Sequence, residues 1–560
     1  MGKRKLLVID FETDPFLHDR LPIPFAWGAY DGDNYWCDWI PRAWETPRLC
    51  ARTLVDFLKA KAEEGVIYII YAHNGGKFDF LFFLDELDGQ IKIVNGRILQ
   101  AHLAGHVLRD SYAIMPIPLS QLGDKVDIDY QLMGRGVRED HRDEIMYYMK
   151  RDCIELYKAV EAFIAEFGDI LTIGSASMRQ LKKFHEFDTA SEEFDADFRK
   201  FYFGGRCQCF ETGVIDTPMI GIDLNSSYPH TMRSMKHPVS TQHTTNSRIS
   251  KATAFVTWEG ENYGAVPTRT KTGLDFTVKS GTFHTTIHEW EAGLETGTIK
   301  PARIIEAIDF RLLLPFGDFI DHFYTSRLAA KAKGDKFKDL FYKLILNSAY
   351  GKFAQSPENF EDSIILPYGD FPAVIYSEPG VIAPDIEQYQ ILHTNGEYAI
   401  WSKPSKRKTY FNVATAASIT GGSRATLLRG LAAAKRPLYC DTDSIYCESF
   451  DGPMDDKALG AWKHEFSGHQ IAIAGKKLYA VMGTAEKDDP KKGWKKGDEV
   501  CLKKASKGTR LHPLAIFMIA RGDTCETRND APSFKLDGKH VFIKRNIRKT
   551  TAQKLEIPIS

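Results

Sequence analysis

The chain has 560 residues, 43% of them apolar, and a formal net charge of -1. That length exceeds what one hydrophobic core supports, so at least two domains are expected, and no apolar run approaches the roughly 18 residues of a membrane helix. Nine cysteines, scattered and without paired CxxC sets, argue against a zinc ribbon or a disulfide framework. The expectation is a soluble, unprocessed, cytoplasmic protein. Even spacing of the charge would argue against a nucleic-acid binder, but residues 461–560 hold 21 Lys plus Arg against 11 Asp plus Glu, while EFDTASEEFDAD at 186–197 is acidic. A basic C-terminal portion is an electrostatic footprint for phosphates.

In chain order, LLVIDFE reads as a strand, residues about 47–64 as a helix, VIYIIYAHN as a second strand and residues about 139–167 as another helix. This alternation of α/β layers closes a first domain near residue 185. Asp10 and Glu12, two apart at a strand end, share one face. Asp79 follows the second strand in YAHNGGKFDFLFF, and YYMKRDCIELY sets Tyr148 and Asp152 four apart on one helical face. Any one pair could be structural or merely exposed. Four acids and a tyrosine together can hold two metals near the roughly 3.5 to 4 Å spacing that activates water against a phosphodiester.

In order, spacing and context these residues resemble the three motifs of the DEDDy family of 3'-5' exonucleases. The resemblance implies an RNase H-like domain in which Asp10, Glu12, Asp79 and Asp152 bind metal and Tyr148 orients the attacking water. Thr13, Asn74 and Phe78 would hold a frayed single strand, and KVDI at Lys125 resembles a Kx2h motif that supports such a site. HNGGKFD departs from the phage pattern by one extra residue between Asn74 and Asp79.

Next in the chain, FYFGGR offers Tyr202 and Arg206 as ligands beside two glycines, Gly204 and Gly205, that let backbone approach a phosphate closely. IGIDLNSSYPHTM then places Asp223 at a strand end, with Leu224 and Tyr228 following. After about a hundred residues without a catalytic cluster, SRLAAKAKGDKFKDLFYKLILNSAYGKFA reads as a helix on which Lys331 lies three turns before Lys343, with Tyr350 beyond. A second stretch, 356–408, precedes YCDTDSIYC, in which Asp441 and Asp443 sit two apart between strand formers and so project from one face of a hairpin strand. GKKLY follows with Lys477 and Tyr479. Taken singly, the acids could be an accidental turn, the lysines solvated helix charge, and the tyrosines core.

Together DLNSSYP, KLILNSAYG and YCDTDS resemble motifs A, B and C of family B DNA polymerases. FYFGGR resembles the YxGG motif between exonuclease and polymerase domains, and GKKLY the KxY motif. The resemblance implies α/β multi-domain architecture: an RNase H-like exonuclease domain plus a right-hand polymerase of palm, fingers and thumb with two insertions. It implies two Mg2+ ions per active site, with Mn2+ a plausible substitute, bound in the palm by Asp223 and Asp443 beside Asp441. Leu224, Tyr228, Lys331, Lys343 and Tyr350 would contact the nucleotide; Tyr202, Gly204, Gly205, Arg206, Lys477 and Tyr479 would contact DNA.

A chain of 560 residues carrying every motif plus two intervening stretches resembles the protein-primed subgroup of bacteriophages and linear plasmids. The implied domains are exonuclease 1–185, palm 186–236 and 409–514, a TPR1-like insertion 237–326, fingers 327–355, a TPR2-like insertion 356–408, and thumb 515–560. The implied partners of a monomeric enzyme are template-primer DNA, dNTPs and a priming terminal protein, with strand displacement and proofreading. The alternatives are a family B enzyme using nucleic-acid primers, a stand-alone exonuclease, and a DNA-binding scaffold whose sites are relics.

Overall fold

A computed structural model describes the chain apart from residues 1–3, 16–21, 123–126, 272, 356–359, 370–388, 396, 406–410, 491, 510, 528–544 and 554–560. Among the described residues no helix is long and apolar enough to cross a membrane.

The N-terminal layer consists of β1 (Lys5–Thr13), β2 (Pro24–Tyr30), β3 (Tyr35–Trp39), α1 (Leu49–Glu63), β4 (Tyr68–Ala72), β5 (Asp88–Val94), β6 (Arg97–Leu103), β7 (His106–Asp110) and α2 (Arg142–Phe167). Its strands run in the order β5-β6-β7-β4-β1-β2-β3, with β7, β4 and β1 parallel. Strands at the centre of such a sheet are apolar on both faces, and Leu7, Val8 and Ile9 are fully buried. Leu7 and Ile9 pack with Leu54 and Leu58 of α1, whereas Val8 packs with Cys153 and Leu156 of α2. Alternation therefore sends Val8, Asp10 and Glu12 to the α2 side. The helix α2 opens on Asp143 and Glu144, which suit its positive end, and stops at Gly168 with φ +81°.

Beyond α3 (Ile173–Leu181) and α4 (Glu192–Phe198), β8 (Cys207–Cys209) and β9 (Gly213–Leu224) enter a seven-stranded antiparallel sheet. Its order is Glu499–Ser506, Leu478–Thr484, Trp462–Gly475, β9, Ser444–Phe450, Ala434–Asp441, β8. Helix α5 (Ser227–Ser234) leaves β9 directly. The Val413–Ala433 helix runs beneath, buried along nearly its whole length because its sequence is small: a Cβ on Gly421 would stand 2.3 Å from Thr286 Oγ1. Against it leans a four-stranded sheet of His243–Asn246, Ile299–Phe310, Thr253–Asn262 and Ser280–Thr286 with α6 (Ile287–Glu295), whose start is fixed by a Thr286/Glu289 capping box.

Helices α7 (Gly317–Ala332) and α8 (Lys336–Phe353) form an antiparallel pair turning at Gly334, φ +73°. The single long helix expected across Lys331 and Lys343 is therefore two helices, because KGD supplies a left-handed glycine and an N-cap: Asp335 accepts the Lys338 N–H. The pair also begins at Gly317, ten residues before the expected start of the fingers. It is fastened to the N-terminal layer: Tyr342 donates its hydroxyl to Glu166 at 2.7 Å, and Ser177 of α3 donates to the Ile345 carbonyl at 2.5 Å. Three further strands, Phe360–Pro367, Gln390–Thr394 and Tyr398–Pro404, follow, and the first of these pairs with β5, so the N-terminal sheet continues into them as ten strands.

Candidate active sites

The N-terminal acids converge between β1 and α2. Tyr148 and Asp152 lie on the buried face of α2, and the carboxyl of Asp79, which opens the turn after β4, accepts the Phe11 N–H between Asp10 and Glu12. Burial pushes Asp79 up to about 7, helped by the charge of Asp110. The buried thiol of Cys153 feels Asp10, Asp152, Glu12 and Asp79 together, and all raise it above the usual thiol range after desolvation. Burial, then Asp152, raises the Tyr148 phenol, which exchanges a hydrogen bond of 3.1 Å with the exposed Tyr130. All five expected residues are thus brought to one place. Lys125 lies outside the described residues.

Thr13 ends β1 at a bulge, and Phe78 packs edge-on against Phe82 at 5.2 Å. Asn74 adopts φ +65° and accepts a hydrogen bond from Arg97 at 2.9 Å. Within HNGGKFD, the Gly76 N–H donates to Asp110, and a Cβ there would lie 1.9 Å from the Ile98 carbonyl oxygen. Arg97 pairs with that same Asp110.

The central acids meet through sheet register. Ser444 lies opposite Asp223, and the Leu224 N–H donates to the Asp443 carbonyl at 2.7 Å. The expected single strand face carrying Asp441 and Asp443 is replaced by a tight turn: Asp441 ends its strand, Thr442 is left-handed at φ +59°, and the Asp443 N–H reaches the Asp441 carbonyl at 2.6 Å. The strand reading failed because both flanks of the turn are strand formers. Burial pushes Asp443 up to about 7, with Asp223 and Asp441 adding to it. The Asp441 carboxylate accepts from Lys477 Nζ at 2.5 Å, and Asp223 faces Lys463 Nζ at 3.2 Å.

Over the acids, Tyr228 of α5 stacks on Tyr350 of α8, ring centroids 3.9 Å apart and 20° from parallel. Both phenols are raised by burial and feel Asp443 and Tyr202, which puts these four groups in one neighbourhood. Lys343 is exposed two helical turns before Tyr350 on the same face of α8; Lys331 is exposed on α7.

Several expected contacts are altered. Arg206 is 1% exposed: its guanidinium donates to Gln208 Oε1 at 2.7 and 3.0 Å and lies 4.4 Å over the Phe276 ring, so it is turned away from any phosphate outside. Tyr479, 6% exposed, shares a 2.7 Å hydroxyl hydrogen bond with Tyr446, which commits it to the interior. Leu224 is buried with its N–H already committed to Asp443. Gly205 makes room for Thr442 Oγ1, which a Cβ would meet at 2.7 Å, and the Arg206 carbonyl accepts the Thr442 N–H at 2.6 Å. Gly204 and Tyr202 supply carbonyls to Arg424 and Arg269. Lys463, Arg97, Tyr130 and Arg424 were missed in the sequence, since only register and packing bring them to the sites.

Among the described residues no three carboxylate, imidazole or thiol groups already stand as a closed ion cage. The donor chemistry nevertheless suits hard divalent cations: at each site carboxylates crowd together, and one of them is held up to about 7 by burial and neighbouring acid.

Residues 124–448 match the sequence profile of DNA polymerase type B, organellar and viral. The chain is 48% identical over 579 residues to the DNA-directed DNA polymerase of Enterobacteria phage PRD1, covering 98% of both. It is 25% identical over 421 residues to the DNA polymerase of Bacillus phage phi29, covering 67% of both. In fold it resembles phi29 DNA polymerase complexed with primer-template DNA, with a TM-score of 0.71 at 20% identity over 98% of this chain and all of that one.

Proposed function

The chain belongs to the organellar and viral type B DNA polymerases, and from that premise we propose that this DNA-directed DNA polymerase starts synthesis on the hydroxyl of a terminal protein, displaces strands, and removes its own errors 3' to 5'. The observation that carries the polymerase site is the register of β9 against the Ser444–Phe450 strand, which sets Asp223 beside the Asp441–Asp443 turn although more than two hundred residues separate them. Asp223 and Asp443 would hold two Mg2+, with Asp441 beside them; bound there, the ions supply a lowered pKa for the primer hydroxyl and charge stabilisation at the phosphates. The chain's own groups do the positioning. Tyr228, stiffened by its stack on Tyr350, forms a floor under the incoming sugar that a 2' hydroxyl would strike. Lys343 offers a point charge to the triphosphate.

A second centre at Asp10, Glu12, Asp79 and Asp152 would serve proofreading, with Tyr148 and Tyr130 orienting water through their shared hydrogen bond. The cytoplasm of a host cell and template-primer DNA complete this reading; a solved relative of this fold carries primer-template DNA and incoming nucleotides.

Two measurements test it. Asp443→Ala should lower primer extension by at least about 10³-fold and spare 3'-5' degradation, while Asp10→Ala should do the reverse; equal loss of both activities in either variant would end the two-site reading. Incubation with a candidate terminal protein, labelled dNTP and Mg2+ should give a protein-nucleotide adduct, and its failure to form would leave an enzyme that extends ordinary primers.

A further inference from the structure

Lys463 belongs to none of the motifs read in the sequence, yet sheet register places it directly across from Asp223. Its ammonium stands 3.2 Å from Asp223 Oδ1 and 3.9 Å from Glu465, and Glu465 in turn pairs with Lys503 at 2.9 Å. With side chains 32% and 23% exposed, the Lys463–Asp223 pair is of the kind that contributes little to folding. Lys477 stands in the same relation to Asp441. Two of the three acids thus carry a detachable cation, and between them Asp443 sits among like charges. Lys463 also lines a cavity of about 460 Å³ whose wall mixes Lys487, Lys492 and Lys503 with Glu465, Glu486 and Asp489.

We propose that Lys463 is a displaceable counter-ion for Asp223, holding the carboxylate in the nucleotide-free enzyme and turning to the phosphate chain of the incoming nucleotide once a divalent cation takes its place. A lysine suits the exchange: a compact point charge on a flexible four-carbon stem moves several ångströms by rotamer changes and binds phosphate without a fixed fork geometry. A divalent ion outcompetes one ammonium for the carboxylate, and the released charge meets the most anionic part of the substrate. This deepens the proposed polymerase site and rests on it.

The test separates metal from nucleotide. On an Asp10→Ala/Asp152→Ala background, which removes acids of the other centre, Mn2+ binding to DNA-free and nucleotide-free protein is followed by electron paramagnetic resonance. Lys463→Met should tighten Mn2+ about five- to ten-fold, the order expected when one competing charge is lost, and should raise the KM for dNTP about ten-fold with a smaller change in kcat. These opposite signs are not produced by general damage to the fold. Lys463→Arg, which keeps the charge, should move both quantities less, and Lys463→Gln serves if Lys463→Met melts early. Unchanged or weaker Mn2+ binding in folded Lys463→Met and Lys463→Gln, or an unchanged KM, would overturn the proposal. Mn2+ binding that is absent in the background protein, or indifferent to Asp443→Asn, would instead overturn the metal reading of the acids and take this inference with it.

Discussion

Gly205 and Arg206 show how a motif can do its work from inside. The glycine exists because Thr442 occupies the space a methyl would need, so FYFGGR serves first as a bed for the acid-bearing turn. Gly205→Ala should cost about 1 to 3 kcal/mol of overpacking strain and shift that turn; kcat on a bound template-primer should fall with only a few degrees lost in Tm. Arg206→Ala is expected to lower unfolding free energy by about 2 to 4 kcal/mol through lost packing on Phe276 and lost hydrogen bonds to Gln208. The slope of log DNA affinity against log salt should stay as it is, whereas loss of a true phosphate ligand flattens it by about one. If the Tyr228 ring floors the sugar as proposed, Tyr228→Ala should raise insertion of ribonucleotides relative to deoxyribonucleotides on the order of 10²-fold.

Among elements, β1 and α2 were legible because their periodicities are strong: alternation put Asp10 and Glu12 on one face, and four-residue spacing put Tyr148 and Asp152 together. The α7–α8 pair was not, since residues 327–353 keep a helical composition through the turn that the left-handed Gly334 and the Asp335 N-cap make. The turn at Asp441–Ser444 was hidden for a related reason, Thr442 being a strand former by preference that is held left-handed by its contacts with Gly205 and Arg206. Cross-strand partners such as Lys463 carry no local signal at all. The link between the strands of residues 360–404 and the N-terminal layer is likewise tertiary. Arg48 bridges Glu397 at 2.9 Å and Asp85 at 3.0 Å, and Asn395 Nδ2 donates to the Leu81 carbonyl at 3.1 Å. Arg48→Ala should weaken that docking by about 1 kcal/mol, read as roughly five-fold faster amide hydrogen exchange in Gln390–Thr394 without change in the β4 amides.

At the scale of the molecule, α6, α5 and the Val413–Ala433 helix meet around the buried imidazole of His237 and the half-buried one of His288. His237 hydrogen bonds with Ser418 at 2.9 Å and the Thr231 carbonyl at 3.0 Å; Ser418 lies 3.3 Å from His288. Burial holds His237 down to about 3, with His288 adding to it, and holds His288 down to about 4, with Arg429 adding to it and the Lys236 backbone hydrogen bond and the charge of Glu289 opposing it. The unfolded chain protonates both near 6.5 while the folded chain resists, so this stability is intact above about pH 6.5 and drains away as pH falls toward 4. From pH 7 to 5 the loss should approach about 2 kcal/mol per imidazole, and His288→Gln should flatten the fall of the urea midpoint over that range. The shared ten-stranded sheet has a further outcome for anyone dissecting the protein. An isolated N-terminal fragment would be left with the outer backbone of β5 unzipped, a ready template for another copy. Such a fragment is expected to self-associate in a concentration-dependent way that sedimentation would reveal, so the Phe360–Pro367 strand doubles as a stopper against clumping of the sheet it extends.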